Sequence, residues 1–181
     1  MRSESEARQD ELLVDGYLES LGLNVARFPK HQSNKRPDRI VTTREGAIFY
    51  CEVKSLASPY DEAPITWATM GNAVSEPLHR AAKQFRSING ARLVPNVLAW
   101  VSHSYRFSQQ FFQDFVRGDV RIQGEPIASL ARERFGRAAR DLRVVDLHLW
   151  FQENDPPTLI FVNEVPTFVR SLSRVFSLSL S

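Results

Sequence analysis

Asp38, preceded by Pro37, and Glu52, followed by Val53 and Lys54, carry the residue types best suited to chemistry in this chain of 181 residues. Two carboxylates with thirteen residues between them, and an amine two positions beyond the second, are a set that could gather around a divalent cation. The intervening stretch decides whether they meet. Arg39-Ile40-Val41-Thr42-Thr43 and Ala47 through Ser55 are rich in β-branched and aromatic residues suited to strands. Arg44-Glu45-Gly46 between them reads as a three-residue turn whose glycine accepts a positive φ. A turn centred on Glu45 sets Asp38 directly opposite Glu52, with Cβ atoms roughly 5 Å apart on one face. Facing anions repel, so the pair weakens a bare sheet. A hard cation such as Mg²⁺, for which Mn²⁺ can substitute, turns that repulsion into coordination. The two-residue period of a strand adds Lys54 to the same face and sends Val53 into the core. A glutamate within the otherwise apolar run Ile48 to Val53 is costly unless it is paired or metal-bound.

The elements around this hairpin must hold it in place. Ser5 can cap a helix over Glu6–Leu21 with Leu13, Tyr17, Leu18 and Leu21 inward and Gly22 as its stop. A strand over Asn24–Phe28 and a polar loop from Pro29 to Arg36 lead into Asp38. Ala57 to Glu76, with Pro59, Pro64, Gly71 and little periodicity, reads as a long loop beside the site. A helix over Glu76–Ile88 with Leu78, Ala81, Ala82 and Phe85 inward precedes a buried strand over Val97–Val101. Beyond Ser102, helices are expected near Gln109–Arg117 and Pro126–Leu142, then strands over Val144–Phe151 and Thr158–Val162. The tail from Phe168 to Ser181 suggests a short amphipathic helix closing on the core. The chain is thus expected to be an α/β protein of one domain, 1–181. Its core runs over 1–103, and a C-terminal α+β extension over 104–181 packs on that core.

A hydrophobic content of 43% suffices for a full core. The formal net charge is only +2, so affinity for nucleic acid must come from where the basic residues lie. Lys30, His31, Lys35, Arg36 and Arg39 lie in the approach to Asp38, where they can hold phosphates beside a metal. The arginines from Arg132 to Arg143, interrupted by Glu133 and Asp141, read instead as a solvated helix. The single cysteine, Cys51, excludes an intrachain disulfide and a cysteine-rich zinc site, and His31, His79, His103 and His148 show no metal-ligand spacing. The charged N-terminus lacks an apolar signal core and no run approaches a membrane span, so a cytoplasmic protein with no membrane association is expected.

Pro37-Asp38 and Glu52-Val53-Lys54, set in the order helix, three strands, helix, strand, resemble the PD-(D/E)xK nuclease superfamily over roughly the first hundred residues. That resemblance implies a restriction-endonuclease-like αβββαβ core with a mixed central sheet flanked by helices. It also implies a Mg²⁺-dependent endonuclease acting on DNA. Asp38, Glu52 and the Val53 carbonyl would ligate the metal, and Lys54 would assist the attacking water. Glu11-Leu12-Leu13 through Leu21-Gly22-Leu23 looks like the first-helix segment of archaeal-type Holliday junction resolvases, which makes Glu11 a further metal-associated residue. Gln84 in Ala81-Ala82-Lys83-Gln84-Phe85 is similar to the glutamine many members direct at the site. Resolvases cut as two-fold dimers, so a homodimer stays open here. Two alternatives share the residues: a non-catalytic nucleic-acid-binding module that kept the fold, and a nuclease acting on RNA.

Overall fold

The computed structural model describes residues 4–28, 36–56, 67–104, 107–117, 121–122, 125–126, 136–152, 156–162 and 165–176. Helix α1 (Glu4–Ser20) leads into strand β1 (Asn24–Arg27), then β2 (Arg39–Thr42) and β3 (Ile48–Leu56). Helix α2 (Trp67–Ile88), strand β4 (Asn96–Ser102) and helix α3 (Gln109–Arg117) follow. A two-stranded ribbon, β5 (Arg121–Ile122) with β6 (Glu125–Pro126), precedes helix α4 (Gly136–Leu142), strands β7 (Leu147–Gln152) and β8 (Thr158–Phe161), and helix α5 (Pro166–Val175).

Six strands form one mixed sheet in the order β1-β2-β3-β4-β7-β8. β1, β2 and β3 pair antiparallel, β3, β4 and β7 pair parallel, and β8 returns antiparallel on β7. Both parallel steps, β3 to β4 and β4 to β7, advance across the sheet in one direction. Right-handed crossovers then place their helices on a single face. The core agrees. Val74, Leu78, Ala82 and Phe85 of α2, Phe112 and Phe115 of α3, and Ala138 and Leu142 of α4 pack with Leu98, Trp100 and Trp150 of the sheet. Helices α1 and α5 lie outside those crossovers and cover the other face, where Val14, Leu18, Leu172 and Phe176 meet Phe49, Cys51, Val53, Ala99 and Leu149. Each large apolar side chain buried this way contributes about 1.5–3 kcal/mol. β7 and β8 hydrogen-bond into the same sheet, which is therefore continuous across the boundary expected at 103.

The hairpin matches the sequence reading. Arg39 pairs with Cys51 and Thr42 with Ile48, the register of a turn centred on Glu45. Thr43 N–H donates to the Ala47 carbonyl at 2.8 Å, Gly46 N–H donates to the Thr43 carbonyl at 3.0 Å, and Gly46 takes φ +82. Helix α1 ends as expected at Gly22, φ +76, with two bonds that close its last turn: Gly22 N–H to the Glu19 carbonyl and Leu23 N–H to the Leu18 carbonyl. Its inward face differs from the expectation. Asp10, Val14 and Leu18 are buried at a spacing of four, while Leu13 is 45% exposed.

Helix α2 begins at Trp67, well before Glu76, so the second half of the expected loop is helical. Pro77 removes one helical hydrogen bond at a cost of about 3 kcal/mol. Burial of Val74 and Leu78 on either side offsets that loss. Residues 57–66, and 127–135 of the helix expected over Pro126–Leu142, lie outside the described residues, and Pro126 itself belongs to β6. No helix among the described residues is long and apolar enough to cross a membrane.

Candidate active site

β3 outruns β2. The antiparallel ladder stops at Arg39 opposite Cys51, while β3 continues to Leu56 beside β4. One step beyond the ladder, Asp38 stands opposite Glu52 in the notch just before β2 begins. The backbone N–H of Asp38 donates to Glu52 Oε2 at 2.8 Å, and Asp38 Oδ2 accepts the N–H of Val53 at 3.0 Å. The N–H and C=O of a strand residue leave on the same side, so the Val53 carbonyl is also directed into this notch. The notch lies beside the middle of β3, at Glu52 and Val53, where β3 is paired parallel with Leu98 and Ala99 of β4 on its other edge.

Glu52 and Lys54 share the face covered by α2. Lys54 Nζ is in hydrogen-bond contact with Glu52 Oε1 and lies 3.3 Å from Gln84 Oε1. The amide nitrogen of Gln84 donates to the Arg36 carbonyl at 2.9 Å, which fixes the orientation of the amide. Asp38, Glu52, Lys54 and Gln84 therefore come together as a hydrogen-bonded group, anchored by β2, β3 and α2.

Glu52 is 1% exposed, and its carboxyl is pushed up to about 7 from an ordinary value near 4.5. Burial is the largest cause; the charge of Lys54 opposes it and that of Asp38 reinforces it. The folded carboxyl thus holds its proton more tightly than the unfolded one. Its favourable contribution to folding is complete below pH 4.5 and is lost as pH rises through 7. Urea unfolding in EDTA is expected to show the wild type losing up to about 3 kcal/mol between pH 5 and 8 relative to Glu52→Gln, which cannot ionise. A pH-independent difference between the two proteins would contradict this.

Two sequence-derived assignments need correction. Arg39 was expected to hold phosphate, but its side chain is 1% exposed and turned under α1. There its Nε meets Asp15 Oδ1 at 2.5 Å and one terminal nitrogen meets Glu11 Oε2 at 3.1 Å. Burial would lower its proton affinity, yet the hydrogen bond and charge of Asp15 reverse that, and the guanidinium stays firmly charged. Glu11 is correspondingly directed at Arg39 and at Arg27, 2.9 Å away, and not at the carboxylate pair. The second terminal nitrogen of Arg39 lies 3.6 Å from Asp38 Oδ2, so Glu11 is separated from Asp38 by one guanidinium. Among the described residues no group of three or more His, Cys, Asp or Glu side chains is gathered as a metal site. Arg36 meets Gln84 through its carbonyl, and Lys30, His31 and Lys35 lie outside the described residues.

The acidic residue that α1 does bury is Asp10. Its Oδ2 accepts the Ser55 hydroxyl and its Oδ1 lies 2.7 Å from His103 Nε2. Ser55 follows Lys54 but projects from the opposite face. The available signal was spacing: Asp10 lies four residues before Val14 and eight before Leu18, on the inward stripe. Comparison with protein-family models, with curated proteins and with solved structures finds no match to this chain.

Proposed function

We propose that this chain is a Mg²⁺-dependent endonuclease that hydrolyses DNA phosphodiester bonds, built on a restriction-endonuclease-like core. The observation that carries the reading is the single hydrogen-bonded group joining Asp38, Glu52, Lys54 and Gln84 where β3 runs past the start of β2. The chain order α1-β1-β2-β3-α2-β4 supports the core.

The donor chemistry fits Mg²⁺. Two carboxylates and the Val53 carbonyl are hard oxygen ligands, and Mg²⁺ commonly takes one or two carboxylates while keeping several waters. A buried glutamate whose charge is costly gains from a facing cation. When bound, the cation would supply Lewis acidity and a more acidic water. Lys54, held on the same face by Glu52 and Gln84, orients the attacking water and donates to the phosphoryl oxygen as charge builds there. Gln84 positions the ammonium through its oxygen and ties the approach to Asp38 through its nitrogen.

The non-catalytic binding module remains the second reading. It is favoured by Glu11 facing Arg39 and by Lys54 neutralising Glu52 without a cation. A cleavage panel tests between them: supercoiled plasmid, linear duplex, four-way junction, flap, single-stranded DNA and single-stranded RNA, each with Mg²⁺ or EDTA. Nicking of at least one DNA substrate with Mg²⁺ and none with EDTA is expected. Binding without cleavage across the panel would favour the inert module, and cleavage of RNA alone would move the substrate class.

A further inference from the structure

A groove of about 540 Å³ opens at the far end of the hairpin from Asp38. Its walls are the turn after α1, the β2–β3 turn and one side of α5, and among the described residues they bring Arg44, Arg170 and Arg174 together with a single acid, Glu45. All three arginines are exposed, and none is ion-paired with a carboxylate among the described residues. Three cations facing one space repel unless an anion or solvent screens them.

Arg44 lies over Gly22, where a Cβ would fall 2.5 Å from its Nη2. Gly22 is already required there by its φ of +76. Arg170 is steadied by donating from Nε to the Pro166 carbonyl at 3.2 Å. Arg174 lies one turn further along α5, about 6 Å along the axis. Successive phosphates on a duplex strand advance about 3.4 Å along its axis, so this row spans about two phosphate steps. The groove begins at Ala47, five residues before Glu52 on β3, which is about 17 Å along the strand.

We propose that this groove is a second, non-catalytic contact for the phosphate backbone of nucleic acid, with Arg44, Arg170 and Arg174 as its anion ligands. The choice of nucleic acid over another phosphate-bearing partner rests on the nuclease reading. The groove gives a protein of small net charge a localised basic surface, which is what backbone binding requires.

The test is fluorescence anisotropy of a labelled 20-base-pair duplex with the full chain in EDTA, over a range of salt concentrations. For Arg170→Gln/Arg174→Gln the slope of log affinity against log salt should shrink by about two, one per arginine removed. Adding Arg44→Gln should remove about one more. Arg170→Lys/Arg174→Lys keeps the charge and should keep the slope, with thermal melts confirming that each variant is folded. Wild-type slope and affinity in the Gln pair, equal loss in the Lys pair, or no salt-dependent binding by the wild type would each overturn the groove. Absent cleavage alongside the expected slopes would sink only the nuclease reading, whereas cleavage alongside unchanged slopes would sink only the groove.

Discussion

Lys54→Ala is expected to lower Mg²⁺-dependent cleavage on the order of a thousandfold while leaving cation binding in place, whereas Asp38→Asn should lose both. A thousandfold is about 4 kcal/mol of transition-state stabilisation, reasonable for one well-placed cationic donor in a partly buried site. The two residues separate because they sit differently. Asp38 offers its oxygens to the notch just before β2 begins and is half-buried there. Lys54 carries no lone pair when charged and stands behind Glu52, so removing it leaves Glu52 freer to bind a cation. Asp38→Asn is the cleaner substitution, because an amide oxygen still accepts the Val53 N–H that alanine would leave unsatisfied. Single-turnover nicking together with calorimetric Mg²⁺ titration reads both effects. If Lys54 serves only as a counter-charge for Glu52, Lys54→Ala will change stability and leave cleavage intact.

Arg39→Met should cost about 3–5 kcal/mol of folding stability, the largest loss expected from a residue outside the chemistry. The guanidinium is buried against Asp15, Glu11 and Asp38, and removing it strands acids that α1 and the hairpin leave only partly exposed. Arg27 keeps a contact of 3.2 Å with Asp15, which favours the lower end of that range. A double-mutant cycle with Asp15→Leu checks the cause. Replacing both partners of a buried pair with apolar groups is often nearly neutral, so the double variant should recover more than half of the loss. Additive losses in chemical denaturation would show that Arg39 acts through packing and not through its charge.

The hairpin and its register were legible because alternation over Arg39–Ser55 and a turn glycine at 46 constrain each other within a few residues. Asp38 opposite Glu52 and Lys54 on the same face followed directly. What the sequence concealed depended on tertiary contact. Leu13 and Tyr17 made the apolar stripe of α1 look centred one position away from where Asp10, Val14 and Leu18 place it. A buried aspartate is readable as inward only once Ser55 and His103 are known to be waiting for it. Arg39 belonged by sequence to a basic loop, but a strand residue paired with buried Cys51 must face α1, and the acids there were visible only as a helix surface. Pro and Gly signals near residues 59–77 hid the start of α2. The parallel pairing of β7 with β4 is a long-range contact with no local periodic signature, so residues after 104 looked like an addition when they supply two strands of the sheet.

In the proposed site Asp38 and Glu52 together hold one divalent cation, with Lys54 beside it on the same strand. Anomalous diffraction from crystals grown with Mn²⁺ tests this most directly. A single strong peak is expected in the notch at the start of β2, about 2 Å from an oxygen of each carboxylate, with its loss in Asp38→Asn. A map with no peak there at saturating Mn²⁺, and with Lys54 still closed on Glu52, would contradict it.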